Sequence, residues 1–157
     1  MRNTITSILS WFRAAVPKPG NKSAQVQIGV HFEEVAEMLE SIRGDDRVTQ
    51  SMLTAAMISM HGLALHLKSA KGQVIAVIPG QRIHLLDALC DQAVTLSGVA
   101  HMLGMDIEGG LDEVDRSNWT KFVDGQPFFD ENQKIKKGPL YTPADLGPYV
   151  GSSGVLA

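Results

Sequence analysis

Between Val48 and Lys71 apolar side chains recur at helical spacing on nearly every side: Met52, Leu53, Ala56, Met57, Met60, Leu63, Ala64 and Leu67. That period belongs to a helix and not to the two-residue alternation of a half-buried strand. A helix with so wide an apolar surface must be covered on several sides, so this one is expected to meet a second subunit as well. Residues 4 to 15 read as a short amphipathic helix through Ile5, Ile8, Leu9 and Phe12, stopped by Pro17, Pro19 and Gly20. Ser23 to Ile42 reads as a long helix with Ser23 as its N-cap. Gln81 to Leu103 reads as another long helix, ended by Gly104, and Leu111 to Lys121 as a short one. Gly72 is the expected cap after the Val48–Lys71 helix. Gln73 to Gly80 suits a short strand by composition, but a lone strand has no partner, which favours a connection or a helix start.

These elements define an all-α chain with a four-helix-bundle-like core over residues 23–122. An N-terminal helix and linker precede it at 1–22. A tail rich in Gly, Pro, Asp and Lys follows at 123–157, with Phe128, Phe129, Tyr141 and Tyr149 interspersed. At 157 residues the chain suits one domain. The net charge of −3 argues against a nucleic-acid-binding surface, which needs clustered Lys and Arg. One cysteine, Cys90, excludes an internal disulfide and a cysteine-based zinc site, and points to a reducing compartment such as the cytoplasm. No apolar run approaches the roughly 20 residues that span a bilayer, so no membrane role is expected. The apolar patch near the start is broken by Thr6, Ser7 and Ser10, unlike a secretory leader.

Acids stand inside two otherwise apolar helices. Glu33, Glu34 and Glu37 share one helical face, and like charges at that spacing repel, so a compensating cation is expected nearby. Asp87 and Asp91 are four apart on the Gln81–Leu103 helix, where aspartate is a poor interior residue. Two helices with carboxylates on one face can form a hard-oxygen cage suited to Mg²⁺ or Mn²⁺. Solvated acidic faces are the alternative reading. A di-iron bundle would need Glu-x-x-His pairs, which the sequence lacks.

Glu33-Glu34-Val35-Ala36-Glu37 is similar to the EExxE motif of the MazG-like all-α nucleoside triphosphate pyrophosphohydrolases. His84 to Asp91 resembles their second motif, ExxD, with a further aspartate. Asp115 to Lys121 resembles a V-x-R-S-N-M-x-K segment. Lys137-Gly138-Pro139 followed by Tyr141, Pro143 and Asp145 resembles the tail of phage and bacterial members. The resemblance covers about residues 23 to 149. It departs at His84, where the family has a carboxylate, and in a longer gap between the two motifs.

The resemblance implies hydrolysis of a triphosphate at the α-phosphorus, releasing pyrophosphate, with Mg²⁺ or Mn²⁺ as cofactor. It implies Glu34, Glu37 and Asp87 as metal ligands and catalytic residues, with Asp91 and His84 as further candidates. Glu33 is the candidate to position or deprotonate the attacking water. Arg116, Asn118, Lys121 and Lys137 are candidates for binding phosphate. Trp119 and Gln27 are candidates for shaping the base pocket, and Trp11 and Phe12 either stack on a base or pack in the core. A purine deoxynucleotide, dGTP first, is the expected substrate, and a homodimer or homotetramer the expected assembly. A dUTP or phosphoribosyl-ATP hydrolase of the same superfamily, or a non-catalytic helical interaction module, are the alternatives.

Overall fold

A computed structural model describes residues 4–131, 134–152 and 156. Among these the protein is all-α: five α-helices, one short 3-10 turn and no strand. The helices are α1 (Thr4–Ala15), α2 (Asn21–Glu40), α3 (Arg47–Ser69), α4 (Arg82–Met102) and α5 (Ile107–Trp119). They fall into two compact units: residues 18–76 with 129–134, and residues 1–17 with 77–128 and 135–157.

The first unit is an antiparallel pair of α2 and α3. Gly20, not Ser23, is the N-cap of α2, and Ser23 stands at the third helical position. The Ser23 hydroxyl still serves the helix start, since it accepts from Gly20 N and donates to Gly20 O, both at 2.9 Å. A serine in either place satisfies end groups, and the sequence does not separate the two. Asp46 caps α3, accepting from Val48 N at 2.8 Å and Thr49 N at 2.9 Å. Val26 and Ala36 of α2 are buried, as are Ala64 and Leu67 of α3. Gly29 lets the two backbones close up: a Cβ there would stand 3.0 Å from Ala64 O and 3.1 Å from Leu67 Cβ.

The end of α3 is tied down by side chains of α2. Ala70, rather than Gly72, is the C-cap, turning the chain out with ψ 129°. Lys22 Nζ donates to Lys68 O and Ala70 O, both at 2.9 Å, meeting carbonyls that the helix leaves unpaired. Gln25 is only 2% exposed. Its amide donates to Leu67 O at 3.1 Å and Gly72 O at 3.2 Å, and accepts from Val74 N at 2.9 Å. Residues 73–78 then run without regular structure, as a connection, to a turn where Gly80 takes φ +79°.

In the second unit α1 lies along α5, running in the same direction. Thr4 bonds Asp112, Ser7 Oγ donates to Asp115 Oδ2 at 2.6 Å, and Trp11 Nε1 donates to Asn118 O at 2.9 Å. Both partners advance by one helical turn at each step, which fixes the register. Trp11 is buried, stacked on Phe122 and edge-on to Phe12.

α4 ends at Gly104, whose φ of +71° and the bond Met105 N→Ala100 O (2.9 Å) form a left-handed terminus. α5 starts earlier than the sequence pattern indicates. Asp106 caps it through Gly109 N at 3.0 Å, and the Gly109–Gly110 pair, which reads as a breaker, lies inside the helix. Gly109 is needed there because the Tyr149 ring lies against it, 2.5 Å from where a Cβ would stand. The tail straps α5: Asp145 N donates to Glu113 (2.9 Å), Ser117 Oγ to Thr142 O (2.8 Å), and Asp106 N to Tyr149 O (2.9 Å).

Candidate functional site

On α2 the three glutamates separate into two kinds. Glu33 is half-buried and each of its oxygens meets a lysine. Lys68 of α3 reaches Oε1, and Lys134 reaches Oε2 at 2.9 Å. Burial pushes the Glu33 carboxyl up, but hydrogen bonds from Lys68 and Lys134, joined by their charges, outweigh it and hold the group below its ordinary pKa. These are the compensating cations that clustered carboxylates require, and they come from distant segments that spacing alone does not identify. A carboxylate held this way is a weaker base than a free one. Glu34 and Glu37 remain exposed on the outer side of α2, close to one turn apart, and Gln27 is exposed too.

On α4 every residue from Arg82 to Val99 is exposed within the chain, including His84, Asp87 and Asp91. Their spacing of three and four puts them on one stripe. The other sides carry Ile83, Leu86, Leu89, Val94 and Leu96, all exposed as well.

The carboxylates present are donors of a kind that suits a hard divalent cation, whereas the His84 imidazole suits a softer metal better. Among the described residues, however, no three His, Cys, Asp or Glu side chains are grouped closely enough to hold an ion. The fit within one chain is therefore incomplete.

The phosphate-binding candidates divide as well. Arg116 is engaged with Glu113 through two hydrogen bonds of 2.7 Å and with Pro143 O at 3.0 Å. Its partner's carboxyl is lowered from 4.5 to about 2, chiefly by the Arg116 hydrogen bonds and then by the Asp145 amide. Arg116 thus pins the tail to α5. Trp119 faces α1, edge-on to Phe122, with its Nε1 3.4 Å from Ser7 Oγ.

Asn118, Lys121 and Lys137 come together. Lys121 Nζ donates to Asn118 Oδ1 at 2.6 Å and lies 5.9 Å from the Trp11 ring centre. Lys121 and Lys137 both stand over Tyr141, at 6.0 and 5.0 Å from its ring centre. The sequence shows Tyr141 as part of a motif, not as a ring that both lysines approach.

Protein-family models, curated proteins and solved structures were all compared with the chain, and none matches. Among the described residues no helix is long and apolar enough to cross a membrane.

Proposed function

We propose that the chain is a Mg²⁺- or Mn²⁺-dependent nucleoside triphosphate pyrophosphohydrolase of the MazG-like type, acting in the cytoplasm on a purine deoxynucleotide such as dGTP. The observation that carries the reading is the division of roles on α2. Glu33 is paired with Lys68 and Lys134, and Glu34 and Glu37 both reach solvent on one side of the helix. Two carboxylates so placed supply oxygen ligands for a cation that a triphosphate must bring with it. On α4, in the other unit, Asp87 and Asp91 stand on one exposed stripe with His84 and are carboxylates of the same kind. A bound metal would neutralise phosphate oxygens and activate a water. Asn118, Lys121 and Lys137, grouped in the other unit, are donors of the kind that binds phosphate.

The homodimer or homotetramer belongs to the same proposal, and α4 extends its basis beyond α3. Leu86, Leu89, Ala93 and Leu96 recur at intervals of three and four, the spacing of a helix–helix seam, and all are exposed in the single chain. A second copy covering this face is the natural occupant for a four-helix-bundle-like core. The alternatives within the superfamily, dUTP and phosphoribosyl-ATP, differ in base and sugar and not in this chemistry.

Chromatography of a mixed nucleotide pool incubated with the protein and Mn²⁺ tests the reading. Monophosphate and pyrophosphate are the expected products, and Glu37→Gln or Asp87→Asn is expected to abolish their formation while the helical circular dichroism survives. Absence of pyrophosphate from every common nucleotide would overturn the hydrolase and favour a helical interaction module.

A further inference from the structure

We propose that α4 pairs with α4 of a second copy in antiparallel alignment, centred at the level of Asp91. The pairing rests on the oligomer reading above and adds the face, the direction and the register of the contact.

At about 100° per residue, Leu86, Leu89, Ala93 and Leu96 fall within about 80° of arc around α4. Leu86 is 64% exposed, Leu89 47% and Leu96 46%. His84, Asp87 and Asp91 lie within about 40° of the opposite direction. Asp87 and Asp91 are the only acids of α4, so the apolar strip carries no negative charge. Two copies meeting along it turn their acids away from each other and approach without repulsion between them. A strongly charged foreign partner finds only Arg82 on this side.

The strip matches itself best in one direction. Turned end for end about the level of Asp91, it sets Leu86 against Leu96 of the second copy and Leu89 against Ala93, so that large meets small. A parallel pair would set Ala93 against Ala93 and leave a gap between leucine layers. It would also set Arg82, which starts the same strip, against Arg82. In the antiparallel pair Arg82 approaches the C-terminal end of the other helix, whose partial negative charge favours a cation.

Cys90, the chain's one cysteine, is exposed and reports the direction. It stands about 80° to one side of the strip's centre line. In the antiparallel pair the two Cys90 residues share a flank, each one position from the centre. With helix axes about 8–10 Å apart, their thiols are separated by about the same distance, too far for a disulfide. In a parallel pair they lie on opposite flanks with the strip between them.

A short bismaleimide matched to that spacing, applied to the unaltered full chain, is the test, with light scattering of the untreated protein beside it. A covalent dimer is expected on a denaturing gel. Leu89→Glu should reduce it about tenfold or more with the helical circular dichroism retained, whereas Leu89→Met and Asp87→Asn should preserve it. Arg82→Gln should weaken association about threefold, while relief of repulsion in a parallel pair would strengthen it. A monomer at the crosslinking concentration would overturn the pairing, and is the result if another part of the same chain covers the strip. An oligomer whose Cys90 residues do not crosslink overturns the direction and register and leaves the oligomer reading in place. Pyrophosphate release is measured separately, and a crosslinked dimer without turnover leaves the pairing standing and removes the hydrolase.

Discussion

Replacing Gln25 by leucine should be among the most damaging single changes in the α2–α3 pair. The side chain is 2% exposed and makes three hydrogen bonds, to Leu67 O, Gly72 O and Val74 N. Each bond contributes about 1 kcal/mol net, but a buried group left without a partner loses about 1–3 kcal/mol. Leucine fills the volume and satisfies none of the three. Val74 N–H and Leu67 O are then stranded, the latter in the last turn of α3 where helical partners are lacking. The expected loss is about 2–4 kcal/mol, a large part of the roughly 5–15 kcal/mol that a domain has. For a chain of this size that lowers Tm by about 5–15 °C. Thermal unfolding followed by circular dichroism reads it, with exposed Gln27→Leu as the comparison, expected within about 0.5 kcal/mol of the unaltered protein. If the two variants melt together, the assignment of Gln25 as the clasp of the α3 terminus is wrong.

Gly29→Val should cost about 1–3 kcal/mol in urea unfolding, because its Cβ meets Ala64 O and Leu67 Cβ at the closest approach of α2 and α3. Glu113 has a folded-state pKa near 2 against an ordinary 4.5, so its contribution is complete above about 4.5 and fades as pH falls toward 2. Glu113→Gln should therefore narrow the difference between urea midpoints measured at neutral pH and at about pH 3. Leu89→Glu, on the exposed face of α4, should shift light scattering toward the monomer, and an unaltered protein that is already a monomer at micromolar concentration would remove the oligomer proposal.

Helix existence was written in the chain because Pro17, Pro19, Gly44 and Gly104 punctuate long stretches of helical period. Boundaries were less legible. Gly109 reads as a breaker in the sequence, but it lies inside α5 against the Tyr149 ring, a contact forty residues away in the chain that no local pattern reveals. The same limit explains why Gln27 stood out beside the glutamates while Gln25 did not. Two glutamines two positions apart are alike in sequence, and only the course of α3 decides which is enclosed. The acids on α2 and α4 were visible by spacing, but not that Lys68 and Lys134 would claim Glu33 and leave its neighbours exposed. Lys121 and Lys137 were visible as cations, but not that both would approach the Tyr141 ring.

The ladder between α1 and α5 has a temporal consequence. Ser7 and Asp115 are 108 positions apart, whereas α2 and α3 need only the short loop between them. The α2–α3 hairpin can close while synthesis is still under way. At roughly 5–20 residues per second, α1 waits about five to twenty seconds before its docking strip exists. Through that interval Trp11 has no Phe122 to stack on, so the first helix made carries an unburied indole until α5 arrives.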